Sequence, residues 1–184
     1  MRELVELKKA YRLLNHGPTV LVSSAHAGQQ NVMAAAWNMP LDFEPAKVCV
    51  VIDKTTYTRA LVEASGEFAL NVPDRSMAAA AFAVGDCSGK DINKFKQWSL
   101  ATFPARKISA PLLEGCIAWL ECKVLPERHI QDRYDLFIGE VLAAWAESTV
   151  FSEGHWHFPP GHPRSIHHIA GGTFFETGDE FKAG

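Results

Sequence analysis

A segment rich in hydroxyl groups and positive charge follows one of the apolar stretches of this sequence and opens a helical pattern. It reads DKTTYTR at residues 53–59, directly after AKVCVVI at residues 46–52. Its hydroxyls, its two cations and the free N–H groups of a helix N-terminus could together bind a phosphate. A capped helix with a solvated charged turn would have the same sequence. The segment therefore predicts either an anion site or an ordinary helix start.

A second segment, NVMAAAW at residues 31–37, is strand-like but consists mostly of small side chains. Small side chains let a flat ligand approach the backbone, whose N–H and C=O groups could pair with the polar edge of a heteroaromatic ring. Trp37 could stack on such a ring or shield it. A tightly packed strand interface would show the same pattern, so the segment by itself leaves both interpretations open.

A third segment, CSGKDINKF at residues 87–95, is a polar loop that contains a glycine and leads into a short helical pattern. Lys94 is a candidate second cation for a bound anion. The alternative is a solvent-facing helix with Phe95 turned inward, because charged side chains usually lie on the surface.

The sequence HWHFPPGHPRSIHH at residues 155–168 holds five of the eight histidines. Imidazole is a common metal ligand, and His155 and His157 would project from one face of a strand. No carboxylate or thiolate accompanies the histidines between Glu153 and Glu176, and prolines and a glycine separate them. We therefore predict no metal site and interpret the segment as an aromatic, basic loop that lines a site or an interface.

The composition is that of a globular protein, with 184 residues, 47% hydrophobic and 21% charged, and a formal net charge of −3. One domain over residues 1–184 is expected at this length, and the charge gives no footprint for a nucleic acid or an anionic membrane. The first 14 residues contain no apolar stretch suited to a signal peptide, and the longest apolar run, residues 77–84, is too short to span a membrane. We expect a cytoplasmic protein.

Six segments carry the β-branched and aromatic enrichment of strands, and helical patterns lie between them. The predicted strands are residues 19–25, 31–37, 46–52, 67–72, 115–125 and 136–145. The predicted helices are residues 3–14, a helix capped by Thr56 or Thr58 that runs through Ala64 and stops at Gly66, residues 77–84 capped by Asp74 or Ser76, and residues 92–98 capped by Asp91. Because the helices do not alternate regularly with the strands, we predict a mainly β fold, an antiparallel barrel with peripheral helices.

The first three segments, with ALNVP (69–73), LFIGEV (136–141) and IAGGTFF (169–175), resemble the flavin reductase-like, FMN-binding split-barrel family. The resemblance is closest to the flavoredoxin branch and covers residues 13–175 in order and spacing. It implies a six-stranded antiparallel split β-barrel, usually a homodimer, with one FMN held noncovalently in each subunit near the dimer interface.

The resemblance also implies which residues contact the FMN. Those near the isoalloxazine or the ribityl chain would be Asn31, Met33, Ala34, Ala35 and Trp37. Those near the phosphate would be Lys54, Thr55, Thr56, Thr58 and Lys94, and Asn71, Val72, Ser88, Gly89 and Asp91 would lie close to the cofactor. Arg133 stands where the family often has a flavin-contacting histidine, and it could place positive charge near the flavin or lie on the surface. His168 would border a nicotinamide pocket or merely pack.

The activity implied by the resemblance is hydride transfer from NADH or NADPH to FMN, followed by electron transfer to an acceptor. Because the cofactor would do the redox chemistry, no side chain is assigned as a catalytic acid or base. Three alternatives remain at this point. They are an enzyme whose bound FMN acts directly on a small substrate, a non-enzymatic FMN electron carrier reduced by a partner protein, and a metal-binding module that uses the histidine-rich segment.

Overall fold

The computed structural model describes residues 17–184. In chain order its strands are β1 (Val20–His26), β2 (Gln29–Ala35), β3 (Asn38–Phe43), β4 (Ala46–Val51), β5 (Glu67–Pro73), β6 (Thr102–Phe103), β7 (Leu112–Leu113), β8 (Cys116–Val124), β9 (Leu136–Ala146), β10 (Phe151–Ser152), β11 (His155–Trp156), β12 (Ile166–Ala170) and β13 (Thr173–Glu176). The helices are α1 (Tyr57–Ser65), α2 (Ala78–Gly85), α3 (Lys94–Gln97) and α4 (Arg128–Tyr134), and a 3-10 turn at Arg75–Met77 leads into α2.

The main sheet has the strand order β2-β1-β5-β8-β9-β4-β3, and all neighbouring strands are antiparallel. Its edge strands β2 and β3 do not pair with each other, so the barrel is not closed. All six predicted strands are present. The structure therefore confirms a mainly β, split-barrel fold with peripheral helices.

Strand β3 joins the sheet as a seventh strand that the sequence pattern did not reveal. All of its residues except Asn38 are exposed, so it lacks the alternation of buried and exposed positions that marks a half-buried strand. It also contains Pro40, and its pairing with β4 shifts register between Pro40 and Asp42. Proline and an irregular register are typical of an edge strand, which is the place β3 takes.

Helix α1 begins and ends where its sequence predicted. Thr56 is the N-cap and accepts a hydrogen bond from the Arg59 N–H, and Gly66 ends the helix at φ 71°. Only glycine adopts this left-handed conformation at no cost, which explains the stop. The first turn of α1 is therefore fixed by local chemistry.

The other helices depart further from their predicted bounds. Asp74 caps the 3-10 turn before α2, as one of the two predicted caps. The predicted cap Asp91 is wrong, because α3 starts later and its N-cap is Asn93, whose side chain accepts from the Lys96 N–H. Helix α4 was not predicted, since it is short, polar and without a side-chain cap. The predicted helix over residues 3–14 lies outside the described residues.

Both faces of the main sheet are buried. Inside the barrel the largest side chains are Phe68 and Phe137, and burial of each stabilises the fold by about 1.5–3 kcal/mol. Gly139 permits this packing, because a Cβ at that position would lie 2.6 Å from Cζ of Phe68. On the outer face Leu21, Val32 and further apolar residues pack under α2 and the loop before β7. Across residues 17–184 no helix is long and apolar enough to span a membrane.

Candidate functional site

A cleft beside β2 brings together the three segments that the sequence singled out. Its first part is a cavity of about 300 Å³ between β2, the start of α1 and the loop after α2. The lining residues are Asn31, Met33, Ala34, Thr55, Thr56, Tyr57, Thr58, Val84, Gly85, Asp86, Cys87, Ser88, Gly89 and Lys94. We call this cavity the polar end of the cleft.

The turn before α1 is held by hydrogen bonds to Asp53, and the first turn of the helix borders the polar end. The backbone N–H and hydroxyl of Thr55 both donate to Oδ1 of Asp53, at 2.8 and 2.6 Å, so the turn before the helix is held locally. The hydroxyl of Thr56 donates to the Asp53 carbonyl at 2.8 Å. N–H groups in the first turn of a helix have no carbonyl partner within the helix, and the helix dipole makes this end partly positive. This end of the cleft is therefore suited to an anion.

Asn31 connects β2 to α1 and to the loop that contains Gly89. Its side-chain amide donates to Oγ1 of Thr58 at 2.8 Å, and both residues are buried. A Cβ at Gly89 would lie 2.1 Å from Oδ1 of Asn31. The loop can therefore approach Asn31 this closely only because residue 89 is glycine.

Lys94 places a buried ammonium group at the same end. The side chain is 3% exposed, and its Nζ donates to the carbonyls of Val32, at 2.9 Å, and Val84, at 2.6 Å. Burial lowers the pKa of Lys94, while the nearby Cys87 acts in the opposite direction. Within residues 17–184 no carboxylate forms an ion pair with this ammonium. An anion in the cleft would supply the missing negative charge.

The cleft continues past the strand end into a second cavity of about 240 Å³. The two cavities share Ala34, Gly85 and Asp86. The second is lined in addition by Thr19, Ala35, Ala36, Ala81, Phe82, His168 and Phe174. Small side chains here expose the backbone, and aromatic rings border it, so we call it the aromatic end.

His168 and Phe174 reach the aromatic end from the hairpin of β12 and β13. Their rings meet edge to face with centroids 5.2 Å apart. The backbone N–H of His168 donates to Oγ1 of Thr19 at 2.9 Å, which ties the hairpin to the chain just before β1. The signal that sequence reasoning missed at this end is Phe82, the one aromatic residue in the alanine-rich helix α2.

Two predicted cofactor neighbours lie elsewhere. Asn71 is fully buried in the sheet, where its amide donates to the Leu21 carbonyl at 2.8 Å and its Oδ1 accepts from the Leu113 N–H at 2.9 Å. Val72 lines a separate cavity at the open end of the barrel. The positions of both are explained by packing and by hydrogen bonds within the sheet.

Four more predicted residues line neither cavity of the cleft. Lys54 is exposed before α1, and Asp91 is exposed in a neighbouring polar groove. Arg133 is exposed on α4 with its guanidinium 5.6 Å from the ring centre of Tyr134. Trp37 follows β2 and is 52% exposed. Contacts of these residues with a ligand stay a prediction.

The sequence predicts Arg59 as one of two cations of the anion site, but Arg59 does not line the polar end of the cleft. Its guanidinium turns to α4, where it forms ion pairs with Glu63 and Asp135 and donates to the Gln131 carbonyl at 3.0 Å. Burial opposes its charge, but the hydrogen bonds to Glu63 and Asp135 raise the pKa of Arg59. Arg59 therefore anchors α1 to α4.

The histidine-rich segment does not converge on one point. His155 lies on β11 with its ring nitrogen 2.8 Å from the Glu153 carbonyl, while His167 contacts Oγ1 of Thr177 at 3.0 Å. In the described part of the chain no group of three or more His, Cys, Asp or Glu side chains could hold a metal ion. His168 is the histidine of this segment that lines the cleft.

The sequence matches the model of the flavin reductase-like domain over residues 12–165. The chain belongs to the flavin reductase-like family. It is 42% identical over 183 residues to the uncharacterized protein YddH of Escherichia coli (strain K12), covering 98% of this chain and 97% of that protein.

Two solved structures of similar proteins have the same fold. The FMN-binding domain of a flavin reductase-like enzyme from Shewanella baltica OS155 is 50% identical, with a TM-score of 0.88 over 98% of this chain and 96% of that one. The flavoredoxin of Desulfovibrio vulgaris (Miyazaki F) is 24% identical, with a TM-score of 0.82 over 100% of this chain and 96% of that one, and so supports the fold alone.

Proposed function

We propose that this member of the family is an FMN-binding oxidoreductase that takes a hydride from NADH or NADPH and passes electrons to an acceptor. The observation that carries the proposal is the order in which polar, small and aromatic residues line one cleft. An anion-binding end is joined through small residues to an aromatic end. FMN has the same order, with a phosphate, a ribityl chain and a flat ring system.

The residues of the polar end fit a phosphate. The hydroxyls of Thr58 and Ser88 accept hydrogen bonds from Asn31 and from the Lys90 N–H, so each keeps its own proton for a phosphate, and the first turn of α1 adds backbone N–H groups. Lys94 contributes a buried positive charge. Hydrogen bonds to charged groups are stronger than neutral ones, so these donors would fix one end of the cofactor.

The residues of the aromatic end fit a ring. The backbone of residues 34–36 offers N–H and C=O groups at a strand edge, and Phe82 and Phe174 offer aromatic surface. When bound, FMN supplies the redox chemistry. The chain binds and orients the ring and leaves one part of the cleft open, where a nicotinamide could stack. The same opening suits a small acceptor.

The edge strand β3 supports a homodimer. Met39, Leu41 and Phe43 on β3 are all exposed, with Phe43 91% exposed. An unpaired apolar edge is a liability unless another chain covers it. A second copy of this chain is the proposed cover, close to the strand that lines the cleft.

Size-exclusion chromatography with light scattering should give the mass of a dimer for the wild-type protein. Phe43→Lys should shift the protein toward monomer. A wild-type monomer at high concentration would refute the proposed dimer.

The decisive experiment is the visible absorption spectrum of the purified protein, reconstituted with FMN and then mixed anaerobically with NADH or NADPH. A two-banded flavin spectrum that bleaches supports both cofactor and donor. A protein that binds FMN but is reduced only by a partner protein would be an electron carrier. A protein that takes up no FMN would refute the proposal.

A further inference from the structure

Among the described residues that line the aromatic end of the cleft, His168 is the side chain that can carry a positive charge. His168 and Asp86 are the ionisable groups among its lining residues. The polar end has Lys94, but that ammonium is held by the carbonyls of Val32 and Val84. Arg133, at the position where the family often has a histidine, does not line the cleft. Among the described residues that line the aromatic end, His168 is therefore the group placed to balance charge at the ring.

The position of His168 is fixed by its neighbours. Its main chain is held by Thr19, and its ring packs edge to face on Phe174. Asp86, at the C-terminal end of α2, lines the same cavity, and the β13 residue Glu176 is paired with Arg75 at 3.7 Å. His167, the preceding residue on β12, has its ring against Thr177 and lines a different cavity. The two adjacent histidines therefore serve different environments.

Reduction changes the charge at this end. A hydride brings two electrons and one proton to the flavin, which leaves one added negative charge on the ring system. In a partly apolar site that charge is costly unless a positive group lies close. Imidazole changes its charge between about pH 5 and 8, so it can supply that group by taking one proton from water.

We propose that His168 takes up a proton from solvent when the flavin is reduced, so that its imidazolium balances the negative charge gained by the ring. The proposal rests on the FMN site proposed above. Two electrons and two protons enter the site in total. The hydride brings both electrons and one proton to the flavin, and His168 takes the second proton from water. No oxidant or reductant beyond the hydride donor is needed. His168 thereby stabilises the reduced cofactor and tunes its potential.

The test is the flavin reduction potential of the FMN-loaded protein, measured with mediators between pH 5 and 9 for wild type, His168→Gln and His168→Lys. In wild type we expect two protons per two electrons over a window within this range of pH. In His168→Gln we expect one proton in that window, which halves the slope, and a lower potential. In His168→Lys we expect one proton and a potential above that of His168→Gln.

His167→Gln is the matched control and should keep the wild-type slope. Two protons in His168→Gln would mean that the flavin takes the second proton itself, and would overturn the proposal. An unchanged potential in both His168 variants would also overturn it. Because an electrode drives the reduction, these outcomes do not depend on NADH or NADPH. Failure to bind FMN at all would instead refute the proposed function, and with it this inference.

Discussion

Replacement of Gly89 by alanine should weaken FMN binding through Asn31. A Cβ at residue 89 would lie 2.1 Å from Oδ1 and 2.6 Å from Cγ of Asn31. Both distances are far below van der Waals contact, so the asparagine must move by about 1 Å or more, since carbon atoms pack at about 3.5–4.0 Å. That movement breaks the 2.8 Å hydrogen bond from Asn31 to Thr58.

The expected cost follows from that hydrogen bond. Loss of a hydrogen bond that leaves a buried partner unsatisfied costs about 1–3 kcal/mol. If the cost appears in binding, the FMN dissociation constant rises about 5- to 150-fold, because 1.4 kcal/mol is a factor of ten. Residue 89 has no positive φ, so the alanine backbone itself adds no strain.

The assay is a titration of FMN fluorescence against apoprotein, with thermal unfolding measured in parallel. Gly178→Ala is the matched control, because a Cβ there meets nothing within 4 Å. In an Asn31→Ala background the Gly89→Ala change should cost much less, since the clashing side chain is gone. Equal costs in both backgrounds, or unchanged FMN affinity in a folded Gly89→Ala protein, would refute the reasoning.

Three further predictions concern charged groups. Lys94→Met should raise the FMN dissociation constant about tenfold or more, because hydrogen bonds to charged groups are worth about 1.5–3 kcal/mol, and an unchanged titration would contradict a role at the phosphate. Arg59→Met should lower the free energy of unfolding by about 3–5 kcal/mol in urea, because it leaves the carboxylate of Asp135 in a partly buried site without its partner, while the exposed Arg133→Met should have little effect. Glu121 is fully buried, and although burial raises its pKa, hydrogen bonds from Trp145 and from the N–H groups of Lys107 and Arg106 lower the pKa below the ordinary 4.5. The ionised Glu121 therefore stabilises the folded protein fully above pH 4.5, and this stabilisation is lost as pH falls through the lowered pKa. The free energy of unfolding of Glu121→Gln should depend less on pH between 5 and 3 than that of wild type. An equal pH dependence in the two proteins would contradict this.

The local parts of the fold were readable from sequence. Helix α1 has its cap at Thr56 and its stop at Gly66, and each signal lies within a few residues of the position it governs. The six predicted strands were likewise recognised from the residue types within each segment. Strand β3 could not be predicted in this way, because its exposed side chains carry no burial pattern and its pairing with β4 fixes it.

The direction of polar side chains was decided by the tertiary structure. Arg59 and Thr58 are adjacent in sequence, yet one turns to Asp135 on the far side of α1 and the other to Asn31 in the cleft. Asn71 looked like a cofactor neighbour, but the carbonyl of Leu21 and the N–H of Leu113 use its amide. A residue type sets what hydrogen bonds a side chain can make, and distant strands set which of them it makes.

The sequence by itself determined the strands, the capped start of α1 and the segments predicted to bind a phosphate. Only the tertiary structure joined the polar end to an aromatic end, because His168 reaches Thr19 across 149 positions of the chain. The physical reason is the separation along the chain between the groups that interact. Caps and turns depend on backbone groups a few residues away, whereas a cleft exists only where remote segments are packed together by the buried faces of the sheet.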